Sequence, residues 1–160
     1  LYVESQDAEA LDPGSAHAGR RATIQSDGHG RVIKAVAYGK NSAGVATRVE
    51  TRTTYQATGE LARIERTDGA ETVTRWMQHD SLGRMVLNAE PNTTVGFASP
   101  DVAQTGGPGR LRAWRYAYDD SGELVGTSDA RGCGKNVAYD GLGRVRAEDR
   151  SLTSTSNIVR

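Results

Sequence analysis

Trp114-Arg115-Tyr116-Ala117-Tyr118-Asp119-Asp120-Ser121-Gly122-Glu123-Leu124 joins an aromatic alternation to an Asp-x-x-Gly corner. Its first five residues place Trp114, Tyr116 and Tyr118 at period two, so the three rings lie on one face of a strand. Asp119 then stands three residues before Gly122. An Asp at the first position of a type I turn bonds the backbone two residues on, and a Gly at the fourth tolerates positive φ. A type I turn closed by a left-handed residue is a common hairpin connection with a bulge. Leu124 opens the return strand. The stretch therefore reads strand, turn, strand.

Four other sites carry the same pattern. They are Ser26-Asp27-Gly28-His29-Gly30-Arg31, Tyr55-Gln56-Ala57-Thr58-Gly59-Glu60, His79-Asp80-Ser81-Leu82-Gly83-Arg84 and Tyr139-Asp140-Gly141-Leu142-Gly143-Arg144. A charged residue follows each Gly, and an apolar residue comes next: Val32, Leu61, Met85, Leu124 and Val145. The turn residues singled out are thus Asp27, Gly30, Gly59, Asp80, Gly83, Asp119, Gly122, Asp140 and Gly143. The closest turns, Gly122 and Gly143, stand 21 residues apart. The widest interval holds a Pro/Gly-rich insertion near 89–110, and Gly39-Lys40-Asn41-Ser42-Ala43-Gly44 reads as a longer connection. The expected organisation is an irregular N-terminal edge over 1–20, a repeat region over 21–150, and a fragment end over 151–160. Ala8-Glu9-Ala10-Leu11 can form one helical turn, which Asp12-Pro13-Gly14 stops.

Composition supports a thin architecture. The 160 residues hold 20 Lys+Arg and 20 Asp+Glu, which gives a formal net charge of zero. That balance argues against a basic nucleic-acid patch or a polybasic membrane anchor. Leu, Ile, Val and Phe number only 27, with one Phe and two Met, which is little for a large enzyme core. The one Cys excludes an intrachain disulfide framework and a Cys-based zinc site. No apolar run approaches the roughly 20 residues of a membrane span. The fold class expected is all-β: antiparallel hairpin repeats forming a curved or spiralling sheet. A lone hairpin is marginal in water, so such repeats must stabilise one another.

Arg115-Tyr116-Ala117-Tyr118-Asp119-Asp120-Ser121-Gly122-Glu123-Leu124 resembles the signature of the YD-repeat, or Rhs-repeat, family. Val137-Ala138-Tyr139-Asp140-Gly141-Leu142-Gly143-Arg144-Val145 resembles it as closely, and Gln78-His79-Asp80-Ser81-Leu82-Gly83-Arg84-Met85 nearly so. The two earlier sites depart from it, with Ser26 in place of Tyr and Gln56 in place of Asp. The resemblance covers roughly residues 22–150. It implies a segment of a large secreted or surface-delivered protein whose hairpins join edge to edge into a hollow shell. In Rhs toxins and the shell component of Tc toxins, that shell encloses a toxic C-terminal domain. Animal teneurins carry a related barrel. The partners implied are the remaining repeats and a C-terminal toxin domain of the same polypeptide, with no nucleic acid and no membrane span. Carbohydrate binding is suggested for some members.

The turn aspartates occupy the positions a turn needs, so they read as turn holders; Asp119-Asp120 lacks the six to eight oxygens of a calcium loop. Of the three histidines, His79 stands where the family has Tyr, His29 lies within a turn, and His17 belongs to no repeat. Cys133, in Arg131-Gly132-Cys133-Gly134-Lys135, reads as a small residue between hairpins. That stretch is not a phosphate loop, since Asp129 stands where the first Gly is required and Asn136 replaces Ser/Thr. No catalytic, cofactor or metal residue is expected. Trp114, Tyr116 and Tyr118 form either a packing row or a glycan-stacking platform. The expectation is therefore a structural shell segment, with a glycan- or surface-binding module as the alternative.

Overall fold

The computed structural model describes residues 1–15, 18–40, 43–69, 71–91 and 113–151. The chain divides into two units, residues 1–74 and 75–160. Both are built from antiparallel strands that neighbour one another in chain order. The fold is all-β, as the alternation and turn spacing predict.

In the first unit, β1 (Tyr2–Ser5) pairs with β2 (Ala22–Ser26), which pairs with β3 (Val32–Lys40). Then β3 pairs with β4 (Ala46–Tyr55), and β4 with β5 (Leu61–Asp68). The region expected to be an irregular edge thus contains a regular strand. Val3 lies opposite Ile24 and Glu4 opposite Thr23, a pairing across some twenty residues that local pattern does not reveal. Between β1 and β2 lies α1 (Ala8–Leu11), a single turn whose N-cap Asp7 accepts from the Ala10 N–H. Pro13 follows directly after its C-cap. The Gly39–Gly44 connection is shorter than expected, because Gly39 and Lys40 extend β3 and pair with Thr47 and Ala46.

Side-chain alternation gives this sheet two unlike faces. One carries Val3, Ile24, Ala35, Ala37, Val49 and Thr51, with Asp68 and Arg66 of β5 opposite the last two. The other carries Glu4, Arg21, Lys34, Arg48, Glu50 and Arg52, with the buried Val36 among them.

In the second unit, the end of β6 (Glu71–His79) pairs with β7 (Met85–Ala89) and β7 with β8 (Trp114–Tyr118). Next, β8 pairs with β9 (Leu124–Ser128), β9 with β10 (Gly134–Tyr139) and β10 with β11 (Val145–Ser151). The Pro/Gly-rich insertion expected near 89–110 lies outside the described residues from 92 onward, as do His17 and the fragment end from 152 onward. A small apolar cluster joins Leu87, Ala89 and Ala113, with Trp76 packed on it. Among the described residues, no large side chain is fully buried. Cohesion must therefore come from strand pairing and cross-strand contacts more than from a packed interior. No helix among the described residues is long and apolar enough to cross a membrane.

Candidate functional site: the clamped turn edge

Each repeat turn is built the same way. The Gly30 N–H donates to the Asp27 carbonyl at 3.1 Å, and the Asp27 N–H donates to the Arg31 carbonyl at 2.9 Å. Gly30 has φ +79°, the left-handed conformation that a β-branched residue resists. This is the bulged type I hairpin. A second irregularity follows, for the pairing passes from Gln25–Lys34 to Ser26–Val32 and skips Ile33. The other four turns repeat it, skipping Ala62, Val86, Val125 and Arg146.

The aspartates are spent on holding these turns. Asp27 Oδ1 accepts from the His29 and Arg31 backbone N–H groups at 2.8 and 3.0 Å, while Oδ2 accepts from Arg31 Nε at 2.8 Å. Asp80 does the same with Leu82 and Arg84, and Asp140 with Leu142 and Arg144. Asp119 accepts from the Glu123 N–H at 2.9 Å. At Gln56 the backbone bonds form without that carboxylate. Partial desolvation opposes ionisation of Asp27, but the Arg31 guanidinium and the two N–H groups outweigh it and hold the carboxyl below its ordinary range. Desolvation is likewise outweighed at Asp80, and at Asp140 the Arg144 side chain is the leading influence.

A sixth turn of this kind, at Asp129-Ala130-Arg131-Gly132-Cys133, joins β9 to β10. Asp129 Oδ1 accepts from the Arg131 and Cys133 N–H groups at 2.9 Å each, and Gly132 has φ +92°. The Asp-x-x-Gly spacing that announces it is present in the sequence. Cys133 and Gly134 follow its Gly, where the other five turns have a charged and then an apolar residue. Cys133 thus sits in a turn position, half-buried, with its backbone engaged.

The arginines after Gly30 and Gly83 have a further role. The Arg31 guanidinium carbon lies 4.6 Å from the centre of the Tyr55 ring, and Arg31 Nη1 lies 3.6 Å from where a Cβ on Gly59 would stand. Arg84 repeats this, 4.7 Å from the Tyr118 ring and 3.8 Å from the Cβ position of Gly122. Arg84 Nη1 also donates to the Asp119 carbonyl at 3.3 Å. The Tyr55 hydroxyl donates to the Val32 carbonyl at 3.1 Å, and Tyr139 to Leu124 at 3.2 Å. Tyr, Gly and Arg of the motif therefore stitch one hairpin turn to the next. Arg31 and Arg84 stack on the following tyrosine, and Tyr55 and Tyr139 reach back to the preceding backbone.

The aromatic row divides. Tyr118 is committed to Arg84. Trp114 remains 42 % exposed and shares its strand face with Tyr116. Desolvation, then the Tyr118 and Glu90 charges, pushes the Tyr116 hydroxyl pKa up. Trp114 lies opposite Asn88, whose Nδ2 donates to Glu90, and Glu90 is held by Arg75 at 2.7 Å.

Antiparallel strands joined by clamped turns define the class as a hairpin-rich, all-β sheet. No family model matches the chain, and no curated protein does either.

Proposed function

We propose that the chain is a structural repeat segment resembling the YD/Rhs shell that encapsulates and delivers a toxin domain, in a secreted or surface-delivered polypeptide. The observation that carries this reading is the stitch. Where Arg31 meets Tyr55 and where Arg84 meets Tyr118, each hairpin is tied to the next through its turn, in a sheet with little packed interior. A container wall needs stability that passes along the sheet and leaves room behind it. The reading assigns the chain no catalytic step, cofactor or metal. Its test is graded proteolysis of the full natural polypeptide, with fragments identified by mass spectrometry. A shell leaves one segment outside the repeats resistant until the repeats themselves melt. Simultaneous cleavage of that segment in the native protein sinks the reading.

Trp114 favours a second reading, a glycan- or cell-surface-binding module. An exposed indole beside Tyr116 and the Asn88–Glu90–Arg75 polar group has the composition of a sugar-stacking surface. A glycan-array signal lost on Trp114→Ala supports it; an array blank for the natural polypeptide rejects it.

A further inference from the structure

The charged face of the first unit carries more cation than its carboxylates neutralise. Glu50 is 8 % exposed and is shared by three cations on two strands. Lys34 Nζ lies 3.3 Å from Oε2, Arg48 Nη2 meets the same oxygen, and Arg52 Nη2 lies 2.7 Å from Oε1. Desolvation raises the Glu50 pKa, but the Arg48 and Lys34 hydrogen bonds outweigh it, so Glu50 contributes a full negative charge. On the neighbouring strands, Arg21 pairs with Glu4. These four cations face two carboxylates, and Arg20 beside the Tyr38 ring adds a further positive charge, so cation exceeds carboxylate there. The adjacent Arg63–Glu65 pair on β5 is balanced within itself.

The excess has a location. Arg21, Lys34 and Arg48 line one open groove of about 240 Å3, together with Gln25 and the Tyr2 and Tyr38 rings. No carboxylate lines it. The Arg21 and Arg48 side chains are 58 % and 51 % exposed, so both guanidinium groups can take an incoming acceptor without leaving their partners. The Arg20 guanidinium lies 6.0 Å from the Tyr38 ring centre, and its Nη1 is shielded from solvent without a hydrogen-bond partner.

We propose that this groove binds the phosphate group of a small phosphorylated organic molecule, between Arg21, Lys34 and Arg48, with the organic body against Tyr38. A phosphate dianion answers the positive excess with two charges and offers separate oxygens to Arg21, Lys34 and Arg48; a single carboxylate brings one charge and two oxygens. Arginine forks suit that geometry, and the tyrosine faces give an organic group apolar area. The site does not depend on the shell reading, because it uses no repeat-turn residue.

The test is calorimetric titration of the full chain with inorganic phosphate and with phenyl phosphate, in low-chloride buffer. Saturable binding at one site is expected, severalfold tighter for phenyl phosphate. Lys34→Gln and Arg48→Gln should each weaken it about tenfold, the typical loss for one charge-assisted hydrogen bond. Glu50→Gln should tighten it by removing the competing carboxylate, a direction that mere structural damage would not produce. If that variant fails to fold, the lysine and arginine variants still decide. Arg144→Gln, at a turn of the second unit, should leave affinity unchanged. Absence of saturation, equal affinity for the two probes, or an equal loss in Arg144→Gln overturns the proposal.

Discussion

Two links of the second unit share one backbone design and differ in charge. Between the third and fourth repeat turns, Arg84 stacks on Tyr118 and donates to the Asp119 carbonyl. Between the fourth and fifth, the equivalent residue is Glu123. Its Oε1 lies 2.9 Å from where a Cβ on Gly143 would stand, so it occupies the place over the next glycine that Arg84 takes over Gly122. It brings an anion, however, to the side of Asp119 and Asp140. The Tyr139 hydroxyl donates to the Leu124 carbonyl as Tyr55 does to Val32 beside Arg31, so the backbone stitch forms without the cation. The backbone half of the link is thus separable from its cation half, and a repeat can lose the second while keeping the first.

Breaking the backbone half should have the largest effect. Gly143→Val meets two obstacles, φ +74° and the nearby Glu123 carboxylate, and should cost on the order of 2 kcal/mol. Gly122→Val meets a comparable φ of +89° but a looser neighbour, and should cost somewhat less. Chemical denaturation of both variants checks the ranking. Unchanged midpoints would show that the left-handed residue is dispensable.

The cation half is next in size. A double-mutant cycle of Arg84→Gln with Tyr118→Leu should give a coupling of about 0.5–1 kcal/mol, the range for a partly exposed cation–π pair. The same cycle on Glu123→Gln and Tyr139→Leu should give none. Equal couplings would mean that the arginine contributes only packing. Glu123→Arg should then restore the missing interaction at the fifth turn and raise the melting midpoint. A fall in that midpoint would show the site adapted to the carboxylate.

The corners were legible in sequence because their chemistry is local. Asp119 and Gly122 select the turn through contacts within five residues, and the aromatic alternation ahead of them marks β8 to the residue. The pairing of Tyr2–Ser5 with β2 was not legible, since its partner lies beyond a helical turn and a loop. Nor was the stitch, because the distance from Arg84 to Tyr118 depends on strand register across an insertion. The Asp129 turn lacks the charged and apolar residues that follow Gly at the other five, which the turn itself does not need. The charged face had a readable signal: Arg48-Val49-Glu50-Thr51-Arg52 alternates charge at period two. Its meaning emerges only once Lys34 stands on the adjacent strand.

The smallest expected effect separates the two links by pH. At Asp27, Asp80, Asp129 and Asp140 the folded-state pKa is depressed, so the clamps' contribution is complete above the ordinary Asp value and lost as pH falls through the folded one. Melting midpoints should therefore drop below about pH 4. At Glu123 desolvation, followed by the Asp119 and Asp140 charges, raises the pKa, and the sign reverses. Its contribution to stability is complete below the ordinary Glu value and lost as pH rises through the folded one. Neutral pH is thus where the fourth-to-fifth link is weakest and the Asp clamps are at full strength. Glu123→Gln keeps the shape and removes the titration, so it should exceed the natural protein in melting midpoint at pH 7, by a margin that shrinks as the pH is lowered toward 4. A margin constant with pH would place the carboxylate in water in both states and remove the charge contrast between the links. A margin that grows on acidification would reverse the assigned sign, making Glu123 a partner to a cation rather than a neighbour of two aspartates.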